Sequence, residues 1–231
     1  MPRAFVAGAT GAIGLPLCRL LVAEGWNVIG TTRKPERAEE LLDLGVSPVV
    51  LDIFDAEMLN GIVSAVRPDV VVHQLTDLPP GLDPALMDAA RVRNTRIRTE
   101  GTRNLVAAAK AAGARRIVAQ SLGFAYSDGV RPLPESTPLD PGATGVISLE
   151  QQVLGSGLEA VVLRYGRLYG PGTGFDAPNG AAPVHVDAAA NAALLAMTEG
   201  QGIYNIAEPD GELSLDRAFE DLGWDPDFRL E

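Results

Sequence analysis

The sequence predicts an α/β protein: a doubly wound parallel sheet carrying a small C-terminal cap. Three features of the 231 residues point there. Short runs rich in Val and Ile alternate with stretches of helical periodicity, and the runs lack the polar alternation of half-exposed strands, so they are buried on both faces. Their spacing leaves room for a helix between successive strands, the βαβ unit whose crossovers are right-handed. Gly8, Gly11 and Gly14 cluster between the first strand and the first helix.

Residues 3–7 (RAFVA) read as the first strand. Residues 12–24 place Ile13, Leu17, Leu20 and Leu21 on one helical face, and Gly25 stops the helix. Residues 27–31 give the second strand. Pro35 then opens a short helix over 36–44, at the first-turn position where a missing N–H costs nothing. A third strand follows at 47–51, then a helix capped by Asp55 and reaching Val66, then a fourth strand at 69–73 (DVVVH). A proline-rich loop precedes a long helix over 85–112, which ends at Gly113. Residues 115–120 form a fifth strand, 122–141 a loop with four prolines, 144–154 a helix and 160–164 a sixth strand. Of the last third, 170–183 read as a loop, 186–198 and 214–222 as helices, and 202–206 as a short strand. The expected division is a sheet domain over 1–170 and a cap over 171–231, too short to fold alone, above the carboxyl edge of the sheet.

Composition narrows the partners. With 46% hydrophobic and 21% charged residues the chain is globular. Nineteen basic against thirty acidic side chains leave a formal charge of −11. So acidic a surface repels nucleic-acid phosphates and anionic lipid, and neither is an expected partner. Cys18 is the sole cysteine, and His73 and His185 are the sole histidines, so neither a disulfide nor a metal site is expected. No run approaches the roughly 18 apolar residues of a membrane span. The uncharged stretch after Arg3 is broken by Gly8, Gly11, Gly14 and Pro16, unlike a secretory leader, and a cytoplasmic location is expected.

Residues 8–14 read Gly-Ala-Thr-Gly-Ala-Ile-Gly. Glycines here let the chain turn sharply and let its backbone approach a pyrophosphate, while N–H groups at the helix start face the anion. The choice between NAD and NADP is written at the end of the second strand. A carboxylate there would accept from both ribose hydroxyls. This chain has Thr31, Thr32, Arg33 and Lys34 instead. Arg33, helped by Lys34 and a threonine hydroxyl, suits a 2′-phosphate, so NADP is expected over NAD. The plainer alternative is a solvated basic turn.

These residues resemble the short-chain dehydrogenase/reductase superfamily, in its extended and atypical branch of NAD(P)-dependent epimerases/dehydratases. The likeness runs through the glycine turn, Leu51-Asp52-Ile53, residues 70–73, Glu100-Gly101-Thr102-Arg103-Asn104-Leu105, residues 163–172 and His185-Val186-Asp187. It implies a Rossmann-like fold in which Gly8, Thr10, Gly11, Ala12 and Ile13 wrap the pyrophosphate, with Gly14 closing the turn. By the same resemblance Asp52 and Ile53 hold adenine, Leu75 and Thr76 pass the adenosine ribose, and the segment after Arg164 borders the nicotinamide. Read from the residues alone, Asp52 equally serves as a turn or helix-capping carboxylate. A homodimer through the helices at 85–112 and 144–154 is implied by the resemblance only.

The resemblance further implies a tyrosine, a lysine four residues later and a nearby Ser or Thr hydroxyl. The lysine lowers the tyrosine pKa so that the phenol can exchange a proton with the substrate. Counting back from Glu150, those positions hold Gly142 and Val146, and Leu122 stands where the hydroxyl is expected. Lysine arithmetic agrees: Lys34 and Lys110 are the only two, one after the second strand and one near the far end of the long helix. The usual Tyr–Lys chemistry is excluded. Tyr126, close to Ser121, is the leading substitute donor, with Tyr165 next and Arg164 as a source of positive field. The short chain between Gly172 and Pro183 leaves little wall for a nucleotide sugar and favours a small carbonyl or enone. The expected function is therefore an NADP-dependent oxidoreductase without the usual triad. The alternatives are a non-catalytic NAD(P)-binding sensor or scaffold, and a nucleotide-sugar epimerase or dehydratase.

Overall fold

The computed structural model describes residues 1–230. Strands β1 (Arg3–Ala7), β2 (Asn27–Thr32), β3 (Ser47–Val50), β4 (Val70–His73), β5 (Arg116–Leu122), β6 (Glu159–Tyr165) and β9 (Gly202–Ile206) form one sheet in the order β3-β2-β1-β4-β5-β6-β9. Every pairing in it is parallel. Strand order reverses between β1 and β4, the switch point outside whose carboxyl ends such sheets bind ligands.

Side-chain alternation along β1 shows why both faces must be covered. Ala4 and Val6 face one layer, where α1 (Gly14–Ala23) supplies Leu17, Cys18 and Leu21 and α7 (Val186–Leu195) supplies Ala188, Ala189, Ala192 and Ala193. Phe5 and Ala7 face the other, against Leu59 and Val63 of α3 (Ala56–Val66) and Leu105 and Ala109 of α5 (Thr102–Ala111). The alanines of α7 let that helix lie close to α1, a small-residue seam rather than a leucine ridge. α6 (Thr144–Leu154) covers β5 and β6 through Leu149 and Val153.

Two features go beyond the sequence reading. The long helix is α4 (Met87–Arg96) and α5 joined by one π turn, Ile97–Gly101, an inserted residue that periodicity does not reveal. The C-terminal third also joins the main body. β9 covers the otherwise open edge of β6, and Trp224 Nε1 donates to Ala188 O at 2.8 Å, locking the tail onto α7. α2 (Ala38–Asp43) and α8 (Asp216–Leu222) are short flanking helices, and β7 (Arg167–Tyr169) pairs with β8 (Pro183–His185) as a two-stranded ladder beside the carboxyl edge.

Candidate active site

The carboxyl ends of β1, β2, β4, β5 and β6 open into one cleft of about 1490 Å³. Gly8, Thr10, Gly11, Ala12, Ile13, Thr32, Arg33, Ile53, Leu75, Thr76, Ser121 and Tyr165 all line it. Gly14, Asp52 and Tyr126 stand off its wall.

The glycine loop is built for close backbone approach. Gly8 has φ +90°, and a Cβ there would lie 2.5 Å from Gln74 O. A Cβ on Gly14 would lie 2.2 Å from Gly8 O, so Gly14 lets α1 start directly under the loop. Gly8 N donates to Thr31 Oγ1 at 3.2 Å, and Thr10 Oγ1 to Thr32 Oγ1 at 3.2 Å, which ties the loop to the end of β2. Three cations gather at that end. Arg33 pairs with Asp77 at 3.4 Å across the cleft, Lys34 follows it, and Arg37 donates to Thr10 O at 2.6 Å and pairs with Glu40. Arg37 escaped the sequence reading, although it stands one helical turn beyond Arg33. Main-chain N–H groups at a helix start, a cradle that a Cβ would fill, and cations beside a threonine where an acid would mark NAD together fit a dinucleotide.

Adenine-side expectations divide. Ile53 is buried on the cleft wall and its carbonyl accepts from Asn104 Nδ2 at 3.0 Å. Asp52 is exposed and its Oδ1 accepts from Phe54 N at 3.0 Å, the turn-capping alternative. Leu75 N donates to His73 Nδ1 at 3.3 Å, while His73 Nε2 lies 3.0 Å from Thr102 Oγ1. With Nδ1 accepting, the ring is neutral and protonated on Nε2. Burial, reinforced by the Arg98 charge, pulls its pKa down to about 4. His185 caps α7 by accepting from Asp187 N at 3.2 Å.

The proposed catalytic hydroxyls are not brought together. Ser121 Oγ donates to Glu150 at 2.6 Å, and the same carboxylate receives Arg164 Nε at 2.9 Å and Nη2 at 2.6 Å. Tyr126 turns away from the cleft: its hydroxyl donates to Asn205 Oδ1 at 2.5 Å and its ring lies under the Arg164 guanidinium. Loop geometry accompanies this: Tyr126 pairs in an antiparallel bridge with Leu139, and its side chain reaches Arg164 of β6 and Asn205 of β9. Arg164 therefore neutralises a buried carboxylate rather than projecting a field into the cleft. Burial raises the Tyr126 pKa despite Arg164, and raises that of fully buried Tyr165 more strongly. Tyr165 does reach the cleft floor, its hydroxyl 3.5 Å from Gln74 Nε2. Gln74 Oε1 is, among the described residues, the one buried side-chain polar atom without a hydrogen-bond partner. Gln74 was also missed, although its place directly after β4 at the sheet's switch point is visible in the sequence.

Comparison with known proteins gives the site its relatives. Residues 8–193 match the NAD(P)H-binding family. A 3-diazoavenalumate denitrifying reductase from a Streptomyces is 42% identical, over 90% of this chain and 76% of the relative. A 4-hydroxy-2-methyl-3-oxo-4-farnesyl-3,4-dihydroquinoline-1-oxide ketoreductase of Stigmatella aurantiaca is 32% identical over 59% of this chain, which covers 39% of that protein. The UDP-glucose 4-epimerase of Thermotoga maritima, solved with UDP-glucose, superposes with a TM-score of 0.81 at 22% identity, over 98% of this chain and 94% of that one. That likeness shares the fold, a Rossmann sheet of the epimerase type. No described helix is long and apolar enough to cross a membrane. The chain belongs to the NAD(P)H-binding family.

Proposed function

We propose that this protein is an NADPH-dependent reductase whose acceptor takes hydride without a proton from the protein at the reacting atom. One observation carries the reading: a dinucleotide cleft without a tyrosine–lysine pair at its hydride end. Val146 and Gly142 occupy the lysine and tyrosine positions, Tyr126 is turned away, and Tyr165 is buried with its pKa raised. Reduction of a carbonyl makes an alkoxide that must be protonated where it forms, and the phenol on this floor, Tyr165, has no lysine beside it to tune its acidity and return its proton.

An arene diazonium group makes no such demand. NADPH held there would supply the hydride, whose electron pair would form the new C–H bond as the C–N pair departs with N2. The cationic acceptor and the hydride leave a neutral arene, so no proton moves. The Streptomyces relative, named a denitrifying reductase of a diazo acid, supports this class over the small carbonyl or enone expected from size and charge.

The chain's own residues are assigned roles in this reading that their places in the cleft support. The loop at 8–13 binds the pyrophosphate through its main chain, and Arg33, Lys34 and Arg37 take the 2′-phosphate. Gln74 orients the reactants on the cleft floor, and Phe124, Leu75 and Leu82 exclude water. The test is saturable NADPH oxidation with arene diazonium salts, carbonyls and enones, against enzyme-free controls, with N2 measured. One N2 per NADPH is expected with the diazonium salts, and Tyr165→Phe should retain kcat within about threefold. Turnover confined to carbonyls or enones, abolished in Tyr165→Phe, would replace the reading with phenol-assisted reduction. Tight NADPH binding with no turnover would favour the sensor alternative.

A further inference from the structure

Arg98 stands on the π turn between α4 and α5 and lines the cleft. It is half-buried, and no carboxylate among the described residues pairs with it. Nearby acids are engaged elsewhere: Glu100 holds Arg96 at 2.8 Å, Asp88 holds Arg91 at 3.0 Å, and Asp77 holds Arg33 and Arg93. His73, whose pKa feels the Arg98 charge, is neutral and no counter-ion. A partly desolvated guanidinium without a counter-charge is costly, and an anionic ligand removes that cost. Burial alone pulls the Arg98 pKa below its ordinary value, with no acid restoring it.

Its neighbours identify the end of the cleft it serves. Thr95, one helical turn before Arg98, packs against α6 so closely that a Cβ on Gly145 would lie 3.1 Å from Thr95 Cα. Arg98, further along the same rod, accepts from Gln152 Nε2 of α6 through its carbonyl at 3.4 Å, and α6 is the helix that carries Val146, where the usual lysine would stand. The π turn is tied there by Gln152 Nε2, which donates to Thr99 O at 3.1 Å. The cleft that Arg98 lines also presents apolar and aromatic surface from Leu75, Leu82, Ile97 and Phe124, the last with the Arg167 guanidinium 5.0 Å from its ring. The nucleotide phosphates have their own cations at Lys34 and Arg37, on the far side of β1 from α4.

We propose that Arg98 binds the carboxylate of the hydride acceptor, so that the substrate is a flat, conjugated or aromatic acid held by its anionic end while its reactive end lies over the cleft floor. The proposal rests on the reading of the cleft as a reductase site. It also explains how so acidic a protein admits an anion, through local arginine charge inside the cleft. An arginine here grips a carboxylate but relays no proton, in keeping with an acceptor that needs none.

The test is calorimetric binding of cinnamate and of cinnamamide to the NADP+-loaded protein, which requires no turnover. Cinnamate should bind at least about tenfold more tightly than the amide, the size of one charge-assisted contact. Arg98→Met should erase that difference while NADP+ affinity stays within about threefold, and Arg98→Lys should restore part of it. Equal affinity for acid and amide in the wild type, or no detectable cinnamate binding, would overturn the proposal. So would an Arg98→Met protein that keeps the acid preference but loses NADP+, since the anion would then be a cofactor phosphate. If nucleotide itself fails to bind, the cofactor reading falls, and the acid preference is still read by titrating the nucleotide-free protein.

Discussion

At the scale of single residues, the cofactor end of the cleft rests on positions where one atom decides. Gly8 combines a positive φ with a backbone carbonyl 2.5 Å from where a Cβ would stand. Gly8→Ala therefore displaces the Gln74 carbonyl and the loop together, and nucleotide binding should weaken by at least about a hundredfold, read by NADPH fluorescence titration. Arg33→Asp tests cofactor choice. It introduces an acid beside Thr32, where a ribose hydroxyl would welcome it and a 2′-phosphate would not. NADPH affinity should fall about tenfold or more while NADH affinity is unchanged or improved; equal losses for both would remove Arg33, and the cluster with it, from phosphate recognition.

At the scale of elements, α6 is held to the sheet by charge as well as by Leu149 and Val153. Glu150 and Arg164 are both nearly inaccessible, and the pair takes Ser121 and the Glu135 carbonyl into one network. Removing one partner strands the other. Glu150→Leu should lower unfolding free energy by about 3–5 kcal/mol in urea titrations, and the double variant Glu150→Leu/Arg164→Met should recover most of it. A double variant no better than the single would show that packing, not the stranded guanidinium, sets the loss. This network also marks where the sequence stopped being legible. The Val- and Ile-rich strands, the glycine loop and the missing lysine were readable because each is a local pattern or a count. Tyr126 was not, since its direction depends on a bridge to Leu139 across a loop of prolines. Nor was the π turn: α4 carries no clear apolar stripe in RVRNTR, so nothing in its spacing reveals one inserted residue or aims Arg98 into the cleft. The role of residues 202–206 depended on an open edge of β6, a property of the assembled sheet.

At the scale of the whole molecule, the buried histidine joins the sheet to its helical layer and makes stability depend on pH. His73 ends β4, takes the N–H of half-buried Leu75 and reaches the buried Thr102 at the start of α5. The folded protein keeps it neutral down to about pH 4, whereas the unfolded chain protonates it near its ordinary 6.5. Its contribution is therefore complete above pH 6.5 and is lost as pH falls from 6.5 towards 4, by about 3 kcal/mol over that window. His185, also pulled down by burial, acts in the same direction. The carboxylates of Glu40, Glu100 and Glu159 are held below their ordinary range by arginine partners, so their losses lie on the more acid side of that window. Urea unfolding of the wild type between pH 7 and 4.5 should thus show a steep decline, and His73→Gln a shallower one from a lower starting point. Ring-carbon NMR supplies an independent reading that does not depend on how the variant folds. A His73 resonance titrating near 6.5 in the folded wild type would mean that the ring is not held neutral by burial and that the decline has another source.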